Sequence, residues 1–381
     1  MANILDYLDW RGDLPLSVSP FNEVDNFMLT QVVSLDFTGA VPADGECVSI
    51  AEAVARYDAL CEEKGCYLGL LAPKETVPMT RMLAETVRFR DLRLSHYVNH
   101  VDNANAEQFS AVTFHLPDGS LYLSYRGTDD TLAGWKEDFL MATEEAVPAQ
   151  RYALTYLEQV ARENAFPIRL GGHSKGGNLA VFAAVYASAP VKERILQVFN
   201  NDGPGFPARV LDSEEYAAVR DRIVTILPQY SLVGTMLTQE ENCTVVKSND
   251  IGPMAHDGFR WEVLGTAFVR CEGLSRSSRA FDEALDDVMA SLNVEERRRF
   301  VEELFDALGA TGAVTLTDLT EKRLAQSLEV AKKLRSPEVS DFLSKVFSNT
   351  LREYFASAGK ELREELKEEL TASARWLGWK K

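Results

Sequence analysis

Gly171-Gly172-His173-Ser174-Lys175-Gly176-Gly177 is the segment of this chain best suited to covalent chemistry. The apolar run Phe166 to Leu170 before it reads as a short buried strand, and Asn178 to Tyr186 after it reads as a helix. Gly-x-Ser-x-Gly between strand and helix is the pattern of a nucleophile elbow. In that turn the serine sits in strained backbone and projects its hydroxyl from the sheet edge. Gly172 and Gly176 suit the turn because a Cβ at either position would meet the neighbouring strand or helix. A glycine-rich turn without chemistry is the bland alternative; the strand–turn–helix context favours the nucleophile.

A serine nucleophile needs a histidine base, and that base needs an acid to orient it. In α/β-hydrolases the order along the chain is Ser, acid, His. The histidines are His96, His100, His115, His173 and His256. The first three precede the serine, and His173 adjoins it and is expected to pack beneath the turn. His256 is left as the base, in a loop expected between two strands. Asp202, within Asn200-Asn201-Asp202-Gly203-Pro204-Gly205, follows an apolar strand at the correct edge of the sheet. It is the first candidate for the acid, although an Asp there also suits the turn itself. Asp250 and Asp257 are the alternatives, and Asp257, next to the histidine, is expected to point elsewhere.

An oxyanion hole needs preorganised donors. The N–H of Lys175, opening the helix after the serine, is one expected donor, aided by the helix dipole. Arg126-Gly127-Thr128-Asp129-Asp130, directly after a strand ending at Tyr125, supplies the other through Thr128.

The elements around these residues alternate. Residues 1–45 read as mostly irregular, and Ile50 to Glu63 as a helix. Strands are expected near Leu94–Val98, Phe109–His115 and Leu121–Tyr125, the last two joined by a Pro117-Asp118-Gly119 turn. Helical patterns cover about 131–142 and 148–164. Further strands are expected at Ile195–Asn200, Ile223–Leu227, Thr244–Lys247 and Phe259–Val263. Strands alternating with helices predict a mostly parallel sheet with helices on both faces. The connections 206–222 and 229–255 are long for this architecture. They carry Phe206, Tyr216, Tyr230, Leu232, Met236, Leu237 and Met254, and are expected to cap Ser174 and line an apolar acyl pocket. Beyond about 275 the pattern is helical: Asn293 is an expected N-cap, Gly309 closes that helix, and further helices follow over 318–334 and 338–376. The division expected is a hydrolase domain over 1–275 and a helical C-terminal extension over 276–381.

The chain has 381 residues, 46% hydrophobic and 26% charged, which is ordinary for a globular protein with a sizeable core. A net charge of −18 argues against nucleic acid and anionic membranes as partners. No apolar stretch is long enough to span a bilayer, and no signal segment opens the chain. The five cysteines, odd in number and without metal spacing, read as reduced thiols of a cytoplasmic protein.

Taken together, Tyr125-Arg126-Gly127-Thr128, Trp135, Asp138-Phe139 and Gly172-His173-Ser174-Lys175-Gly176-Gly177-Asn178-Leu179-Ala180 resemble the class 3 (fungal-type) lipases over about 94–262. Asn3 to Asp13 with Pro20 to Asn26 is further similar to a bacterial lipase-like family of unknown function. The resemblance implies an α/β-hydrolase fold, Ser174 as nucleophile, His256 as base, and Thr128 with Lys175 as the oxyanion hole. One departure stands out: the family's acid follows a later strand, and here Ser231 occupies the matching position. Either Asp202 supplies the acid or the set lacks one. The chemistry expected is hydrolysis of a lipid or other apolar ester through an acyl-enzyme, with no cofactor or metal. Acyl transfer and a non-catalytic binding or scaffold role are the alternatives. The C-terminal helices leave room for a homo-oligomer.

Overall fold

A computed structural model describes residues 1–64, 73–102, 107–127, 136, 139, 141, 146–237, 243–313, 321–333 and 336–345. Eight strands form one sheet in sequence order: β1 (Val48–Ser49), β2 (Arg93–Asp102), β3 (Glu107–His115), β4 (Leu121–Tyr125), β5 (Ile168–His173), β6 (Ile195–Asn201), β7 (Ile223–Pro228) and β8 (Thr244–Val246). β1 to β4 run antiparallel as a meander, and β4 to β8 pair in parallel.

Strand alternation divides the sheet's side chains between two cores. Tyr122 of β4 and Phe114 of β3 face one core, built with the helices Ile4–Arg11, Glu23–Val32, Ile50–Lys64 and Thr76–Glu85. Leu121, Leu123 and Tyr125 face the other, built with the helices Pro148–Glu163 and Lys175–Tyr186. Helices therefore cover both faces of a mostly parallel sheet, and the fold is an α/β-hydrolase.

A third apolar cluster joins the helices Arg276–Ser291, Val294–Gly309 and Glu321–Lys333 and the helical stretch 337–345. Phe139, Val233 and Met236 complete it from the hydrolase side, and the Phe139 and Phe305 rings lie 5.3 Å apart. Asn293 caps its helix in a reciprocal capping box with Glu296, and Gly309 ends that helix.

Two expectations need correction and one an addition. Residues 1–45 are irregular over most of their length, as expected, but they also hold two helices. The helices Ile4–Arg11 and Glu23–Val32 each open on a capping box, Asn3 with Asp6 and Asn22 with Asp25. The second is buried throughout residues 24–32 and so shows no polar stripe to reveal its period. Phe259–Val263 is not a strand of the main sheet. Asp257 accepts the Phe259 N–H and caps a short 3₁₀ turn over Gly258–Arg260, and Val263–Leu264 pairs with Ala267–Phe268 in a separate hairpin. Cys47 and Cys271 are free thiols, whereas Cys61, on the last turn of the helix Ile50–Lys64, is disulfide-bonded, so the cysteines are not all reduced. Among the described residues no helix is long and apolar enough to cross a membrane. Most of the helical pattern over 131–142 lies outside the described residues, with Trp135, Asp138 and residues 346–381.

Candidate active site

Ser174 stands between β5 and the helix Lys175–Tyr186, with φ 58° and ψ −136°. That left-handed φ is strained for a residue with a side chain and persists only where the surroundings enforce it. Two glycines allow the enforcement. A Cβ on Gly172 would strike the Gly176 backbone, and one on Gly176 would strike the Tyr125 carbonyl at the end of β4. The Ser174 N–H donates to the Asn201 carbonyl at 2.9 Å, tying the turn to β6.

Gly127, just beyond β4, is packed against the same turn. A Cβ there would lie 2.6 Å from the His173 carbonyl oxygen and 3.1 Å from Ser174 Cβ. The segment leading to Thr128 therefore passes directly against the serine, while Thr128 itself lies outside the described residues. Lys175 takes the first helical position and is buried, which places its backbone N–H at the positive end of the helix dipole.

Asp202 ends β6 and is also held at positive φ, 50°. Its side chain is fully buried, which is costly for a carboxylate unless donors surround it. Three do. Ser231 donates its hydroxyl to Oδ1 at 2.5 Å, the Gly234 N–H donates to Oδ1 at 3.2 Å, and His256 Nδ1 lies 2.7 Å from Oδ2. Ser231, at the position that matches the acid of the class 3 lipases, thus donates to the carboxylate of Asp202 at the end of the neighbouring strand. Asp250 and Asp257 do not reach the imidazole this way. Asp250 faces Arg260 at 3.4 Å, and Asp257 caps its turn, with burial pushing its pKa up to about 6.

His256 lies at the end of a 3₁₀ turn, Gly252–His256, between β8 and the small hairpin. His173 packs beside it, the rings stacked 27° from parallel with centroids 4.5 Å apart. His173 donates its Nε2–H to the His256 carbonyl at 2.9 Å. Burial, and then the charge of His256, hold the His173 pKa well below its usual value, so it stays a neutral donor.

Beneath the turn runs a buried polar chain. Tyr122 donates to Asn26 Oδ1 at 2.7 Å, Asn26 donates to Asn201 Oδ1 at 2.9 Å, and Asn201 donates to the Gly172 carbonyl at 2.9 Å. Asn178, on the helix after the serine, donates to the carbonyls of Pro204 and Gly205 and so anchors the segment after Asp202. The bonding roles of Asn26, Asn201 and Ser231 have no local pattern in the sequence. Their partners lie far away in the chain, and only the substitution at Ser231 left a signal.

The residues expected to cap Ser174 separate into different surroundings, and neither Ser174 nor His256 lines the cavity that some of them form. Phe206, Met236 and Leu237 line a cavity of about 170 Å³. Tyr216 instead packs into the core with the helix Lys175–Tyr186, and Met254 is exposed. Among the described residues no group of three metal-ligating side chains comes together.

The family model described as Mbeg1-like matches residues 83–306, more than half of the chain. No curated protein matches it. Among solved structures, the crystal structure of M37 lipase is 14% identical over 55% of this chain and 68% of that one. Its TM-score is 0.35, a likeness too distant to bear on the site. The chain belongs to the Mbeg1-like family.

Proposed function

We propose that the protein is a serine hydrolase cleaving carboxylic esters of an apolar acyl group, with Ser174 as nucleophile, His256 as base and Asp202 as acid. The contact between Asp202 Oδ2 and His256 Nδ1, 2.7 Å long and formed by a fully buried carboxylate, carries the reading. A carboxylate there holds the proton on Nδ1 and leaves Nε2 to take the serine proton. Ser174 Oγ then attacks the ester carbonyl as its proton passes to His256 Nε2. The Lys175 N–H and Thr128 receive the oxyanion, a donor pair in which each member is typically worth about 10²–10³ in rate. Collapse of the adduct expels the alcohol, protonated by His256, and leaves an acyl-serine. Water, deprotonated by the same imidazole, releases the acid and restores the serine. Residues 1–275 form the hydrolase domain in this proposal, and 276–381 its helical extension.

Incubation with p-nitrophenyl butanoate, with products followed by mass spectrometry, tests the reading. Release of nitrophenolate with equimolar free butanoate is expected. Butanoyl transfer to an added alcohol in preference to water would make the protein an acyltransferase. Absence of release, also from the acetate and hexanoate esters, would leave a binding protein.

A further inference from the structure

The cavity described above has walls that continue the segments of the candidate site. Gly203 follows Asp202, and a Cβ on it would lie 2.5 Å from the Ser174 carbonyl oxygen; three residues further on, Phe206 lines the cavity. Ser231 and Gly234 donate to Asp202, and Met236 and Leu237 line the cavity directly after them. The Gly205 N–H donates to the Met236 carbonyl at 2.8 Å, holding these two walls together. Phe139 comes from the segment that follows Gly127. The remaining wall is made by the C-terminal helices through Leu285 and Met289, with the charged Asp286 and Arg297 beside them.

Two features mark this space as more than a packing defect. Leu237 is held at φ 64°, a strained conformation for a bulky residue and one that clusters at ligand sites. Arg297 Nε donates to the carbonyls of Met289 and Leu292 at 2.8 and 3.0 Å, locking the helix Val294–Gly309 onto the end of Arg276–Ser291, so the outer wall is preformed. Asp286, exposed on the lining, marks the solvent side.

We infer that this cavity takes the acyl chain of the ester and that the C-terminal helices thereby set chain-length preference; the inference rests on the ester-hydrolase reading above. At about 170 Å³ it matches an apolar group of about six carbons, since an engineered cavity of about 150 Å³ binds benzene. Each methylene it buries is worth about fourfold in kcat/KM.

Three measurements on the full chain test this: labelling by a fluorophosphonate probe, kcat/KM along p-nitrophenyl acetate to decanoate, and calorimetric binding of methyl hexanoate to Ser174→Ala protein. Hexanoyl esters are expected to exceed acetyl esters at least tenfold. Leu285→Trp lowers that ratio at least tenfold, and Leu285→Ala moves the optimum to longer chains. Methyl hexanoate binds Ser174→Ala and not Ser174→Ala/Leu285→Trp. If Leu285→Trp fails to melt cooperatively, Met289→Phe replaces it. Intact labelling with a length profile that neither Leu285 variant moves overturns the cavity assignment and leaves the hydrolase reading standing. No labelling, with methyl hexanoate binding still lost on filling the cavity, overturns the hydrolase reading and leaves an apolar ligand site. No labelling and no Leu285-dependent binding overturns both.

Discussion

Two groups of serine, histidine and carboxylate side chains lie on different halves of the same sheet. On the parallel half, Ser174 stands at the elbow after β5, with His256 and Asp202 presented from later loops. On the antiparallel half, Ser95 of β2 lies 2.7 Å from His96 Nδ1, whose Nε2 lies 2.9 Å from Glu163 Oε2. By residue type the second group is as good a triad as the first. Its surroundings differ. Ser95 is wholly buried in a strand, its hydroxyl is also met by His115 Nε2 at 2.8 Å, and it opens no helix. Glu163 is 43% exposed at the side chain, whereas Asp202 is at 0%. His96, at φ 54° beside an irregularity in the β2–β3 ladder, ties that strand to the helix Pro148–Glu163. A serine becomes a nucleophile through the backbone that carries it: a strained turn, a helix start behind it and glycines in front. Ser95 has a histidine and a carboxylate but not that backbone.

Paired substitutions break or sharpen the contrast. Ser174→Ala is expected to lower kcat for a p-nitrophenyl ester by about 10⁶, the scale seen when a triad serine is removed. Ser95→Ala should leave kcat within about threefold; comparable losses from the two in steady-state assays would erase the distinction. Asp202→Asn should lower kcat by about 10⁴. Glu163→Gln should leave kcat nearly unchanged while lowering the melting temperature, as expected if the His96 contact is structural.

Ser231→Ala is expected to cost about 10–100-fold, the range for losing one hydrogen bond to a charged group. A kcat within about threefold of wild type would show that Asp202 does not depend on the Ser231 hydroxyl. The smallest effect falls on stability. Burial raises the Asp257 pKa from 3.8 to about 6, so the folded carboxyl binds its proton more tightly than the unfolded one. Folding stability from this group therefore falls as pH rises through about 6. Asp257→Asn should melt about 2–4 °C higher at pH 8. Calorimetric scans should show that gain shrinking below pH 6 and vanishing near pH 4.

What was legible followed from local rules. The elbow is written in Gly172, Ser174 and Gly176 because a steric demand on neighbouring backbone must be met by nearby residue types. The parallel strands announced themselves as short apolar runs between helical patterns. His256 and Asp202 could be singled out because chain order and strand ends restrict which residues reach one edge of a sheet. The rest depends on distant contacts. The helix Glu23–Val32 was invisible because burial on all sides removes amphipathic periodicity, although Asn22 and Asp25 carried its cap. Asn26 meets Asn201 across 175 positions, and no local preference encodes that bond. Tyr216 satisfied its apolar character in the core, so hydrophobicity in a long connection did not by itself mark a lining residue.

Covalent labelling with peptide mapping decides whether Ser174 is the reactive serine. Wild-type protein, Ser174→Ala and Ser95→Ala are treated with a fluorophosphonate probe, digested and sequenced by mass spectrometry. One adduct per chain is expected on Ser174, absent from Ser174→Ala and retained in Ser95→Ala. Absence of an adduct from wild-type protein, or an adduct that persists in Ser174→Ala, would contradict it.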